Sequence, residues 1–328
     1  MTVINGVEID DIAYLPDDIH EALKQNTPIS SVLHLIASVS NPCNYARRYK
    51  LAAEFMERMK TYEPNAKLYF VEVAYGEQPF VLTSEKNPQH LQIRTDSPAL
   101  WLKECCWNAG IRKLLPNDWK AVACIDADII FESTNWISDT LKVLNGCRDV
   151  VQLFSHACDL GPSGEEMAIY PSFGYSYTKH MKYNPSKFHP GYCIGFTRNA
   201  FEQMGGLYDL SILGSGDHNL CFALVQRADA SLNSGVHPEY RRSLKAFEAR
   251  CVGLSFGYIP GVIRHNYHGS KQNRRYNSRW RILVKYYYQP TLHITRDEYG
   301  LLTPSVECPP GLIEEIAQYF AERKEDDV

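Results

Sequence analysis

The apolar positions of this 328-residue chain fall into short dense runs, separated by stretches in which they recur with helical spacing. Residues 32–37 (Val32-Leu33-His34-Leu35-Ile36-Ala37) form one such run; a polar turn over residues 38–44 follows, and then a helical stretch over 45–60. The pattern repeats. Residues 67–73 read as a second strand, 97–110 as a helix that Gly110 terminates, and Ala121-Val122-Ala123-Cys124 as a third strand. Strand alternating with helix predicts an α/β fold with a mixed, mainly parallel central sheet flanked by helices. In such folds ligands bind beyond the carboxyl ends of the strands.

Around this core the chain is less regular. Residues 1–29 read as an acidic leader with one short helix near 17–25, closed by Pro28. Residues 150–154 and 192–197 read as strands, and 161–190 as a long loop rich in Tyr, Pro, Gly and Ser. After Pro309-Pro310-Gly311 a helix turns Leu312, Ile313, Ile316, Tyr319 and Phe320 to one face, and the final residues, 324–328, read as frayed. The expected organisation is a leader (1–29), a single domain (30–295) and a C-terminal extension (296–328).

Composition narrows the classes. With 45% hydrophobic residues the chain can bury a sizeable core, and a net charge of -4 is no global sign of a nucleic-acid or anionic-membrane binder. The N-terminus lacks the basic start and apolar core of a signal peptide, and no apolar run is long enough to span a bilayer. A soluble cytoplasmic protein with no membrane partner is expected. The ten cysteines contain no C-x-x-C pair and several sit in apolar runs, which predicts reduced, mostly buried thiols.

Three clusters carry candidate chemistry. The first is Ile125-Asp126-Ala127-Asp128-Ile129-Ile130. The strand's period of two sets both carboxylates on one face, and two like charges so close require a cation. A divalent metal, a ribose hydroxyl network or a metal-held phosphate would serve. The competing readings are a turn cap and a phosphatase nucleophile, but the latter wants a small or hydroxyl residue next, on the first strand, where here Ile129 follows on the third. In the second cluster, Gly214-Ser215-Gly216-Asp217-His218, glycines let backbone crowd a ligand beside a carboxylate that begins an apolar helix. Asp217 there is either a proton acceptor or a helix N-cap.

The third cluster begins Arg264-His265-Asn266-Tyr267-His268 and holds seven Lys or Arg between residues 264 and 285 without one Asp or Glu. A neutral imidazole at His268 completes a site otherwise made of oxygens, a set that suits Mn²⁺ better than Mg²⁺, and the cations would neutralise a leaving diphosphate. A solvated basic face is the bland reading. Nucleic-acid contact is another, because Tyr276, Trp280 and Tyr286 to Tyr288 interleave aromatics with the charge.

Together these clusters resemble the GT-A fold nucleotide-sugar glycosyltransferases of the metal-dependent, D-x-D type. Ser40-Asn41-Pro42, Trp101-Leu102-Lys103-Glu104 through Asn108, Gln152-Leu153-Phe154-Ser155, and His268-Gly269-Ser270-Lys271 with Arg274 and Tyr276 are similar to a group of poorly characterised GT-A-like proteins of phages and bacteria, over roughly residues 32 to 303. The resemblance implies a Rossmann-like GT-A domain over 30–295 and an enzyme of a bacterial or virus-infected host cytoplasm. It implies that Asp128, Asp126 and His268 hold Mn²⁺ (or Mg²⁺) and that Asp217 is the catalytic base, with Gly216 and His218 beside the acceptor. Ser38, Asn41, Glu72, Lys103, Asn108, Asp126, Ala127, Lys271 and Arg274 would face a nucleotide-sugar donor, a UDP-sugar above others.

The implied reaction is an inverting single displacement onto an acceptor hydroxyl of a glycan. One alternative keeps the chemistry but places the acceptor on hydroxymethylated pyrimidines of phage DNA. Another is a non-catalytic nucleotide-sugar or glycan binder. A nucleotidyltransferase is disfavoured, because residues 38–44 contain no glycine to cradle a phosphate. Sugar selection is expected from residues 155–195, and no pattern along the chain specifies an oligomeric state.

Overall fold

The computed structural model describes residues 2–4, 7–9, 16–181 and 188–327; most of the leader before residue 16, and residues 182–187 of the expected long loop, lie outside it. Strand Leu33–Ser40 pairs in parallel with Ala66–Tyr75 on one side and Ala121–Ile125 on the other, and His90–Thr95 continues the parallel ladder beyond Ala66–Tyr75. Past Ala121–Ile125 the sheet continues with Cys193–Thr197, antiparallel to both its neighbours, then Val150–Gln152 and Phe256–Tyr258. The result is a seven-stranded, mixed and mainly parallel sheet.

These strands read as continuous apolar runs because both faces are covered. In Leu33–Ser40, Leu33, Leu35, Ala37 and Val39 join the cluster that includes Phe55 and Met59 of helix Ala46–Tyr62, whereas Ile36 joins the opposite cluster with Cys106 and Ile111 of helix Lys103–Leu114. Helix Pro310–Glu322 adds Leu312, Ile316, Tyr319 and Phe320 to that second cluster. No helix among the described residues is long and apolar enough to cross a membrane. The ten cysteines are free thiols, all but Cys43 and Cys147 buried.

Three local expectations are corrected. Gly110 does not end the third helix, which runs Lys103–Leu114 and stops where Leu115 precedes Pro116, a position that disfavours helical backbone. Gly110 instead permits close packing: a Cβ there would lie 3.0 Å from side-chain carbons of both Ile36 and Val71. The segment read as a loop over 161–190 contains strand Glu166–Pro171 and helix Phe173–Thr178, which Ser172 caps by accepting the Tyr175 N–H. The tail read as frayed is packed, with Glu325 only 1% exposed.

A second sheet of four strands sits at the carboxyl edge of the first, in the order Glu166–Pro171, His156–Leu160, Val262–His265, Ile129–Phe131. Its last strand begins directly after Asp128. This join between sheets positions the site.

Candidate active site at the join of the two sheets

Strand Ala121–Ile125 ends at Ile125, and the Asp126 N–H donates to the Tyr192 carbonyl at 2.7 Å. The chain then turns over residues 126–128 and enters the second sheet, so the two aspartates lie in a turn and not on one strand face. Their side chains find different partners. An Asp126 oxygen lies 3.1 Å from Lys103 Nζ, while Asp128 Oδ2 lies 3.0 Å from His268 Nε2 and 3.8 Å from His265 Nε2.

Strand register explains the second arrangement. His265 is paired with Ile129 in one ladder and with Asp159 in the other, which sets the imidazole beside Asp128 and its Nδ1 3.0 Å from Asp159 Oδ1. Three residues on, His268 closes the group, and ligand atoms of Asp128, His265 and His268 all lie within 4.8 Å of one another. Asp128 Oδ1 is buried without a hydrogen-bond partner, a costly state that a cation would relieve. One carboxylate and two imidazoles fit a divalent first-row ion such as Mn²⁺ better than Mg²⁺, which prefers oxygen ligands. His265 escaped the sequence reading, although it stands in an H-x-x-H spacing at the end of an apolar strand. Asp126, expected as a metal ligand, lies outside the group because Lys103 engages its carboxylate.

Electrostatics separate the two aspartates. Burial would raise Asp128, but His265 and His268 outweigh it and hold the carboxyl well below its ordinary range. Burial pushes Asp126 up, and the attraction of Lys103 is opposed by repulsion from Asp128 and Asp217. Burial together with the Arg274 charge lowers His268, favouring the neutral imidazole that a metal needs. Arg274 lies against that ring, its Nη2 2.8 Å from Nε2. The same Nη2 lies 3.1 Å from Nδ1, so the guanidinium sits against both ring nitrogens.

Across the cleft Asp217 occupies the first turn of helix Gly216–Leu224, two positions past the N-cap; Ser215 holds that place with left-handed backbone, φ 79°. Asp217 Oδ1 accepts the His218 N–H at 2.8 Å, and Oδ2 lies 4.0 Å from Lys103 Nζ. Burial disfavours its charge, yet Lys103 and His189 prevail and keep it below the ordinary value. Gly191 lies opposite, and a Cβ there would come within 2.3 Å of Asp217 Oδ2 and displace the carboxylate. Glu104, next to Lys103, is buried and pushed up to about 7 by desolvation. Its Oε2 accepts the Trp101 Nε1–H at 3.1 Å, and its Oε1 is buried without a partner.

Both ends open into one cleft of about 370 Å³, whose walls include Ser38, Asn41, Lys103, Asp126, Ala127, Asp128, Asp217, His218, His268 and Arg274. Asn41 is pinned, exchanging hydrogen bonds with the Tyr45 backbone at 2.9 and 3.0 Å. Gly216 lines a smaller recess behind Asp217 and packs on Glu104, where a Cβ would lie 2.5 Å from Oε1. Three residues expected at the donor are not among those lining the cleft. Glu72 is buried and accepts the N–H groups of Val81, Leu82 and Thr83, holding that loop. Asn108 bonds the Leu207 backbone in both directions, at 3.0 and 2.8 Å, and reaches Asp209. Lys271 pairs with Asp159, behind His265. Arg48 and Arg323, which the sequence reading missed, do line the cleft.

Most cations of the basic segment have partners within the chain, Arg275 and Lys285 at the surface. Arg264 pairs with Glu132 and Glu166, Arg275 with Glu322, and Lys285 with Glu315, while Arg279 bonds the Ser215 and Tyr319 hydroxyls. It is not the free cationic stripe that nucleic-acid binding uses.

No protein-family model and no curated protein matches the chain. Among solved structures it is similar to a mannosyltransferase of Pyrobaculum calidifontis in complex with GDP-Man and Mn²⁺, at 14% identity and a TM-score of 0.41, over 80% of this chain and 65% of that one. It is also similar to a Drosophila β1,4-galactosyltransferase 7 mutant in complex with manganese, UDP-Gal and xylobiose, at 9% identity and a TM-score of 0.42, over 88% of this chain and 99% of that one. The chain thus spans just under two thirds of the mannosyltransferase. At this distance neither likeness carries a statement about activity.

Proposed function

We propose that the protein is a metal-dependent glycosyltransferase of the GT-A type, moving a sugar from a nucleotide donor, a UDP-sugar above others, to an acceptor hydroxyl. The observation that carries the reading is the convergence of Asp128, His265 and His268 around the unpartnered Asp128 Oδ1, across one cleft from an ionised Asp217. A divalent ion held by the first three would neutralise charge growing on the leaving diphosphate. The side chains of Arg48, Arg274 and Arg323 line the same end and supply further positive charge. Lys103 keeps Asp217 charged and oriented. In this reading Asp217 accepts the proton of the acceptor hydroxyl as the oxygen forms its bond to the anomeric carbon. The bond from that carbon to the diphosphate breaks with its electron pair leaving on the diphosphate, so the configuration inverts.

The test is nucleotide release from a panel of UDP- and GDP-sugars with Mn²⁺ and glycan acceptors, with the product anomer assigned by NMR. A retained configuration would remove Asp217 from the role of base. No turnover and no donor binding with any nucleotide sugar would sink the enzyme reading and leave a different ligand for the cleft. The DNA-base acceptor is the weaker variant, because the cations that motivated it are paired internally.

A further inference from the structure

Both histidines of the metal group turn Nε2 toward Asp128 and Nδ1 toward a buried carboxylate. For His265 the carboxylate is Asp159, fixed by strand pairing. For His268 it is Glu325, 57 residues downstream in the tail that follows helix Pro310–Glu322, with Oε2 3.3 Å from Nδ1. Resting on the metal-site reading above, we propose that Glu325 is a positioning residue for His268, and that residues 323–327 are therefore a working part of the metal site.

A neutral imidazole carries one N–H. A carboxylate that accepts it at Nδ1 fixes the tautomer and leaves the Nε2 lone pair for a metal. Glu325 is equipped to stay charged while buried: Arg48 and Arg323 each bring an Nη2 to 2.7 Å from its Oε1, and Arg48 Nε pairs with Oε2. These two arginines also line the cleft, so one carboxylate organises both a metal ligand and part of the cationic wall.

The tail is docked by contacts that do not involve Glu325. The Tyr45 hydroxyl bonds the Phe320 and Ala321 carbonyls at 2.7 and 2.9 Å and accepts the Lys324 N–H at 3.1 Å. Asp326 accepts the N–H groups of Ala46 and Arg47 at 2.9 and 2.8 Å, capping helix Ala46–Tyr62, whose own N-cap residue Tyr45 makes no side-chain cap. Gly269, at φ 84°, completes the fit: a Cβ would lie 3.0 Å from Glu325 Cα and 3.2 Å from the carbonyl oxygens of Arg323 and Lys324. The loop that carries His268 thus has its glycine where the tail crosses it.

The experiment measures Mn²⁺ affinity by EPR of the free ion, and the His268 tautomer by ¹⁵N NMR of the metal-free protein. It compares wild type with Glu325→Gln, Glu325→Asp and the charge control Glu315→Gln. Glu325→Gln removes the charge; Glu325→Asp keeps the charge but draws the carboxylate back by one methylene from His268 and from the arginines alike. Both are expected to weaken Mn²⁺ binding by about tenfold or more, Glu315→Gln by less than about twofold, and wild-type His268 to carry its proton on Nδ1. Wild-type binding with both Glu325 variants folded and within about twofold of it would overturn the role of Glu325 alone. Wild-type His268 protonated on Nε2 would do the same even if neither variant folds. No Mn²⁺ uptake by the wild type would bring down the metal-site reading and this one with it.

Discussion

At one end of the cleft two histidines face Asp128; at the other a single lysine is shared between Asp126 and Asp217. The side chains of Asp126 and Asp128 are each 21% exposed, yet the first is driven up from its ordinary range and the second down. Depth is therefore not what separates them. Two carboxylates share one ammonium at the lysine end, so the chain balances that charge incompletely but from its own residues. At the histidine end Asp128 Oδ2 faces both imidazoles, while Asp128 Oδ1 has no partner. One end is closed by the chain and the other is built to be closed by a cation.

The sharpest way to break this contrast is to exchange the roles. His265→Ala and Asp128→Ala are expected to weaken Mn²⁺ binding by more than about a hundredfold and turnover by about a thousandfold, since each removes a direct ligand. Asp126→Asn should leave Mn²⁺ affinity within about threefold, because Lys103 and not a metal is its partner. Calorimetric titration of Mn²⁺ into the three variants decides it. Equal losses for Asp126→Asn and His265→Ala would return Asp126 to the metal and erase the distinction.

Next in size is the effect of the base. Asp217→Asn is expected to lower turnover by about 10²- to 10⁴-fold, the usual contribution of a positioned proton acceptor, with donor and Mn²⁺ affinities unchanged. Stopped-time nucleotide release beside equilibrium donor binding separates the two quantities. A proportionate loss of donor affinity would make Asp217 part of the metal end.

Lys103 tests the closed end as a unit. Lys103→Met leaves Asp126 and Asp217, both half-buried, without their shared cation; breaking such a partnership costs about 3 kcal/mol when fully buried and less here. Urea unfolding at neutral pH should show that loss. It should shrink under acid, where Asp126, already pushed up by burial, takes a proton. A loss independent of pH would mean that Lys103 matters through packing on Trp107, 4.8 Å below its ammonium.

The same contrast shows what a sequence exposes. The sheet was legible because Leu33–Ser40, Ala66–Tyr75 and Ala121–Ile125 are buried on both faces and so read as unbroken apolar runs. Asp128, Asp217 and His268 were legible as polar residues placed at the ends of such runs. His265 was not, because its role depends on a register with Asp159, 106 residues away. Glu325 was hidden behind a charged tail that resembles solvated chain until it meets Arg48, 277 residues earlier. Glu72 misled for the converse reason. A carboxylate at a strand end looks like a ligand group until loop 81–83 is seen to consume it. Gly110 misled because a stop signal and a close-packing site are the same residue.

Glu104 gives the smallest effect and the finest test of the closed end. Its carboxyl packs directly on Gly216, where a Cβ would lie 2.5 Å from Oε1, and desolvation pushes it up to about 7. Between about pH 4.5 and about pH 7 the folded state therefore holds a proton that the unfolded chain, at the ordinary carboxyl value of 4.5, has already released. The sign follows: this group's contribution to stability is complete below the unfolded value and is lost as pH rises through about 7. The shift caps the contribution at about 3 kcal/mol. Glu104→Gln keeps the shape and the Trp101 hydrogen bond while abolishing the titration. Unfolding free energies at about pH 5 and about pH 8 are expected to fall by about 1–3 kcal/mol more in the wild type than in the variant, which should be the more stable protein at the higher pH. Parallel pH curves for the two proteins would mean that Glu104 ionises freely in the fold, and that the lysine end has charge enough to close itself completely.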